Sequence, residues 1–100
     1  MSPRRVVRVA QPFFDRLDEL LPAERTSSGV PSATDFLLHD LPAAIDRLAD
    51  DYEGVTLEVE EVPGVRVLIA SGRLVERLAL YTVLASDDAV EIVFLDIHSS

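Results

Sequence analysis

At Gly54 the spacing of the apolar residues changes, and this change limits the chain to few folds. Before it, Phe13, Phe14, Leu17, Leu20 and Leu21, and then Phe36, Leu37, Leu41, Ile45 and Leu48, recur at the three-to-four-residue interval of a helical face. After it, Val55, Leu57 and Val59 alternate with Thr56, Glu58 and Glu60, and Val65, Val67 and Ile69 alternate with Arg66, Leu68 and Ala70. Helices followed by a run of strands predict an α+β fold with segregated layers, because a parallel α/β sheet needs the two to alternate.

Val6, Val7 and Val9 form a short first strand that ends at Gln11-Pro12, and Pro12 opens a first helix that stops near Pro22. Thr26 to Pro31 is a connector. Ser32 caps a second helix, Asp35 complements its N-terminus, and Pro42 splits or bends it. Pro63-Gly64, Ser71-Gly72 and Asp87-Asp88 are turns between consecutive strands, so the sheet is expected to be an antiparallel meander. The expectation is therefore a single domain over residues 1–100 in which an N-terminal strand and a helical hairpin pack on that meander. The expected core is Phe14, Leu17, Leu41, Ile45, Leu48, Val67, Ile69, Leu80 and Phe94.

Of 100 residues 48% are apolar, enough for one modest core and too few for two. There is no cysteine, so no disulfide or thiolate metal site is available. No secretion signal is read at the N-terminus, and no apolar run approaches the roughly 20 residues of a membrane span. A soluble, cytoplasmic protein is expected. Net charge is −9, from eighteen acids and nine basic residues, all arginine. The acids concentrate between Asp35 and Glu61, and Arg4, Arg5, Arg8 and Arg16 sit near the start, so an electrically lopsided molecule is expected. Nucleic-acid binding would require the few arginines to cluster.

Few residues are candidates for chemistry. Arg66 lies mid-strand, where a guanidinium needs a partner or a solvated groove; it suits a phosphate or carboxylate, and the plainer reading is an ion pair with Glu58 or Glu60. Arg73 and Arg77 are read on one strand face and could join it, or could be edge charges balanced by Glu76. His98 shares strand parity with Asp96, which could orient an imidazole, although a solvated histidine is the plainer reading. Tyr81 could stack on a base or simply pack. His39-Asp40 supplies two ligands without a third, so no metal site is read, and no phosphate loop or nucleophile elbow is present; no cofactor is expected.

Val7-Arg8-Val9-Ala10 leading into Phe14-Asp15-Arg16-Leu17, and then Gly64-Val65-Arg66-Val67-Leu68, resemble the opening strand and helix and the Gly-x-Arg-x-Leu strand of the RelE/ParE toxin superfamily. Leu80-Tyr81-Thr82-Val83, Asp87-Asp88, Val90-Glu91-Ile92-Val93 and His98 resemble its aromatic strand, acidic turn and closing strand. The resemblance implies a RelE/ParE-like fold and a toxin component of a type II toxin–antitoxin pair. It implies a cognate antitoxin as partner and either DNA gyrase or the ribosome as target, with metal-independent messenger RNA cleavage in the ribosomal case. It assigns Arg66 and His98 to family positions, whereas Arg77 and Tyr81 stand four apart where the family spacing is three. The early meander strand reads Glu58-Val59-Glu60-Glu61, which repels RNA, and Ser99-Ser100 brings no basic tail. Action by protein binding is therefore expected ahead of endoribonuclease activity. A third reading is a small dimeric interaction protein that shares only the architecture.

Overall fold

The computed structural model describes residues 4–98; Ser99 and Ser100 lie outside them. The element order is β1 (Val7–Val9), α1 (Gln11–Leu20), α2 (Ala33–His39), α3 (Leu41–Val55), β2 (Leu57–Glu58), β3 (Val65–Ala70), β4 (Arg77–Leu84) and β5 (Val90–His98). The fold is α+β: three helices and one five-stranded sheet of order β1-β5-β4-β3-β2 among the described residues. Strands β2 to β5 pair antiparallel. The expectation of a wholly antiparallel sheet is corrected at its edge, where β1 runs parallel to β5, Val7 opposite Val90 and Val9 opposite Ile92. The helices lie between β1 and the later strands in sequence, so the connection is long enough to reverse the direction of the chain before β5 arrives.

Helix α1 and the residue after it bury Phe13, Leu17 and Leu21, spaced at i, i+4 and i+8, with α1 packed on β5. Phe14, expected in the core, is 37% exposed and packs edge-on against Phe13, whose ring is fully buried. At Ser32 the hydroxyl accepts the Asp35 amide while the Asp35 carboxylate accepts the Ser32 amide, a reciprocal cap. The chain breaks helix at Asp40 and restarts at Leu41 with Pro42 in the first turn, where a missing amide costs nothing. Residues 54 and 55 belong to α3, so the alternation read from Val55 onward survives only at Leu57–Glu58.

The core lies between the helices and one sheet face: Phe13, Leu17, Phe36, Leu48, Leu68, Leu80, Val90, Ile92 and Leu95 are all under 2% exposed. Leu17, Leu41, Leu48 and Leu80 take their expected places, and Ile45 packs at the margin. Val67, Ile69 and Phe94 do not. In β3 it is Arg66, Leu68 and Ala70 that face the helices, so Ile69 is 52% exposed while Leu68 is buried. In β5 a bulge inserts Val93, since Tyr81 pairs with Phe94 but Thr82 pairs with Ile92. The extra residue keeps Ile92 and Leu95 on the core face and turns Phe94 outward, 41% exposed.

Arg25 donates to Asp35 at 3.1 Å, and this bond together with the Ser32 amide holds the Asp35 carboxyl down at about 2. A folded-state value below the unfolded one contributes stability that is fully present above the unfolded value and is lost as pH falls through the folded value. An Asp35→Ala variant is therefore expected to melt below the parent at neutral pH. The gap should close as pH falls from the ordinary carboxylate range through about 2, as followed by thermal unfolding across an acid series.

Candidate functional site

The sheet face turned away from the helices carries no described element. Its centre is a cross-strand row, Leu57 opposite Val67, Val67 opposite Tyr81, Tyr81 opposite Phe94, which crosses β2, β3, β4 and β5 in register. Tyr81 and Phe94 meet edge to face with ring centroids 5.9 Å apart. Val65 and Val83 pair beside the row on one side, and Ile69 and Ala79 on the other. Leu57, Ile69 and Phe94 are 65%, 52% and 41% exposed, so the row is a continuous apolar surface rather than scattered side chains.

The charged residues of this face sit on β1, β4 and β5. Arg8 lies opposite Glu91, and Arg77 opposite His98. Arg16 reaches from α1 over the part of the β5 edge that β1 leaves uncovered. Its Nε donates to the Leu95 carbonyl at 3.3 Å, its Nη2 donates to Asp96 Oδ1 at 2.7 Å, and its guanidinium lies 5.1 Å from the centre of the Phe94 ring. A charged side chain on an otherwise open strand edge opposes strand addition there. Arg16, Asp96, His98 and Arg77 border a groove of about 320 Å³.

Of the candidates named from sequence, the structure brings together Arg77 and His98 as cross-strand partners, with Tyr81 on the same face farther along β4. Asp96 is engaged by Arg16, so it does not serve to orient His98. Arg66 is elsewhere. It pairs with Thr82, five residues beyond Arg77 on β4 or roughly 17 Å along the strand, and its side chain points to the opposite face. There its Nε donates to Thr56 Oγ1 at 2.7 Å and its Nη2 donates to the carbonyls of Thr56 and Glu53 at 2.9 and 3.3 Å. Glu58, its register partner, stands 3.5 Å from Nη1 and is 83% exposed. Arg66 thus closes the C-terminal turn of α3, and the plainer expectation, an ion pair to Glu58, describes its outer contact. A guanidinium is tolerated beneath the helices because the last carbonyls of α3 need donors. Arg73 lies before β4 and not within it, so no basic patch of Arg66, Arg73 and Arg77 forms.

A buried polar chain extends from Arg66. Thr56 Oγ1, which accepts from Arg66, donates to the Tyr52 carbonyl at 2.6 Å. Thr82 Oγ1 donates to the Arg66 carbonyl at 2.9 Å, which commits its one proton, so the Tyr52 hydroxyl 2.9 Å away is the donor of their shared bond. Among the described residues no buried side-chain polar atom lacks a partner.

The expected lopsided charge is largely folded away. Arg4 pairs with Asp46 and Asp50, Arg5 with Glu53, and Arg8 with Asp87 in a two-bond fork at 3.0 Å. The fork holds the Asp87 carboxyl below, and the Arg8 guanidinium above, its ordinary value. The acids left outside these pairs near the apolar row are Glu91 on β5 and Glu60 and Glu61 of the β2–β3 hairpin, whereas Glu58 lies with Arg66 on the helix side of the sheet.

His39 is exposed, and its neighbour Asp40 is 4% exposed and faces inward, where its carboxylate accepts the backbone amides of Arg73, Leu74 and Val75. No group of three ligating side chains that could hold a metal occurs among the described residues, and no helix among them is long and apolar enough to cross a membrane. Comparison with protein-family models, with curated proteins and with solved structures gives no match to this chain.

Proposed function

We propose that this chain is a protein-binding module of toxin-like type, whose uncovered sheet face receives a segment of a cognate antitoxin. The observation that carries the reading is the apolar row Leu57–Val67–Tyr81–Phe94, a surface that a free domain of this size exposes at a cost and that a partner's apolar side chains would cover. The row runs out at β2 beside the hairpin acids Glu60 and Glu61, so the segment it fits is apolar along the sheet and basic where it leaves over the hairpin. DNA gyrase is the protein target this reading favours, because inhibition by contact needs no hydrolytic residue.

The test is co-expression with the protein encoded by the adjacent reading frame, followed by calorimetric titration of the purified pair. A complex is expected whose affinity falls as salt rises and falls at least about tenfold in Ile69→Glu or Phe94→Glu, which bury a charge in the interface. Absence of a complex would remove the reading.

Metal-independent cleavage of messenger RNA is the second reading, favoured by one observation: Arg77 and His98 oppose each other on the face that also carries Tyr81. Against it, Arg66 is committed to α3 on the other face, leaving a single arginine on β4 for the developing phosphate charge, with Asp96 close by. Messenger RNA ends generated on induction of the parent and lost in both Arg77→Ala and His98→Ala would establish the nuclease instead.

A further inference from the structure

We infer that Arg77 and His98 form a carboxylate subsite at one end of the uncovered sheet face, where they receive an acidic side chain of the docked segment. The inference rests on the antitoxin reading of this face and adds the chemistry of the segment's second end, opposite the basic end that lies over the hairpin.

The pattern of ion pairs singles out Arg77. Arg4, Arg5, Arg8, Arg16, Arg25 and Arg66 each have a carboxylate partner within the fold. Arg47, Arg73 and Arg77 have none among the described residues. Arg47 belongs to α3 and Arg73 to the loop before β4, so of these three only Arg77 stands on the uncovered face. With eighteen acids for nine arginines the chain has carboxylates in excess, yet none is placed on this guanidinium. Its planar fork of donors is left to bind an anion from outside.

The surrounding groups fit a single carboxylate. His98 is the register partner of Arg77, and both side chains are exposed on the same face. Side chains directly opposite each other on antiparallel strands stand about 5 Å apart at Cβ, so the guanidinium and a ring N–H of His98 can donate to the two oxygens of one group. The nearest acid, Asp96, pairs with Ala79 and is bonded to Arg16 at 2.7 Å, while Arg16 also holds Glu19 at 3.1 Å. Asp96 and Arg16 thus satisfy each other, and Arg77 with His98 is the pair left open. The groove that these residues border, about 320 Å³, is at the small end for a ligand site and holds one side chain, with Leu20 and Ile97 against its methylenes.

The rest of the face favours a polarised protein segment over a nucleic acid. Arg77 opens β4; near the other end of that strand Val83 pairs with Glu91, and the hairpin acids Glu60 and Glu61 follow β2. From the level of Arg77 to that of Val83 is roughly 20 Å along the strand, and the apolar row crosses between them. A run of phosphates seated at Arg77 would be carried onto the acids. A segment with a carboxylate at Arg77, apolar side chains along the row and a basic residue over the hairpin meets complementary surface throughout.

Two measurements on the intact chain test this. In calorimetric titration with the adjacent-frame protein, affinity is expected to fall roughly three- to tenfold in Arg77→Ala, further in Arg77→Glu, and by less in His98→Ala. Melting temperature should stay unchanged, because both side chains are exposed. Glutarate added alone at millimolar concentration is expected to shift the NMR signals of the Arg77 side-chain N–H and the His98 ring, and to lose its effect on His98 in Arg77→Ala. A complex indifferent to both Arg77 variants overturns the subsite and leaves the antitoxin reading standing. Glutarate that shifts neither residue also overturns it. Glutarate binding at Arg77 without any complex keeps the carboxylate subsite and removes the antitoxin reading alone. A short single-stranded RNA that shifts the same signals at lower concentration than glutarate overturns the carboxylate assignment in favour of a phosphate.

Discussion

Replacement of Asp40 by alanine is expected to lower the free energy of unfolding by about 2 to 4 kcal/mol, from the loss of the acceptor to one buried and two part-buried amide donors at roughly 1 kcal/mol or more each. Asp40 stands between α2 and α3, 4% exposed, and receives the backbone N–H of Arg73 at 2.6 Å, of Leu74 at 3.1 Å and of Val75 at 3.2 Å. Successive amides converging on one carboxylate make a concave anion site, and here the anion is the protein's own. A Cβ on Gly72 would lie 2.8 Å from Asp40 Oδ2, so the loop approaches as closely as it does only because that position has no side chain. Without the carboxylate, three amides lose their acceptor, that of Val75 in a buried setting. The Asp40→Asn substitution keeps one acceptor oxygen and should lose about half as much. Urea denaturation with an unchanged slope is the measurement, and a loss under about 1 kcal/mol would mean that water replaces the carboxylate.

The second large effect is expected at Arg66, and it is an effect on stability. Arg66→Ala removes three charge-assisted bonds from the end of α3 and leaves the buried Thr56 hydroxyl and carbonyl short of donors, a cost of about 2 to 3 kcal/mol. Arg66→Lys should recover only part of it, because one ammonium cannot reach Thr56 Oγ1, the Thr56 carbonyl and the Glu53 carbonyl together. The loss should appear as a lower urea midpoint together with faster amide exchange in the last turn of α3. Partner binding measured on the fraction that remains folded should be unchanged, since the side chain lies behind the sheet. A variant of full stability with impaired binding would place Arg66 in the interface after all.

Much of the architecture was legible in local sequence because local chemistry decides it. Ser32 and Asp35 form the cap their spacing implies, Pro42 restarts a helix, and the change of period near Gly54 separates helices from strands. What was not legible depends on partners distant in sequence. The β-branched residues Val65, Val67 and Ile69 look like a buried set, and only the unsatisfied end of α3 explains why the arginine side of the strand faces inward. Leu68 and Ala70, sharing parity with Arg66, were the available sign of it. Val90 to Ile97 is apolar at nearly every position, so nothing in the run marks Val93 as the extra residue that moves Phe94 to the surface. The candidate site divides along the same line. Arg77, Tyr81 and His98 share a face as strand parity implies, whereas Arg66 does not join them, and the apolar row was hidden because its members resemble core.

The parallel pairing of β1 with β5 bears on how the chain is made. The first strand acquires its sheet hydrogen bonds from β5, which also lies between it and β4, so β1 cannot dock while the ribosome is still decoding the intervening helices and strands. Closure of this sheet is therefore a late event in synthesis, and until β5 emerges the nascent chain carries an amphipathic helical segment whose apolar side has no completed sheet to cover it.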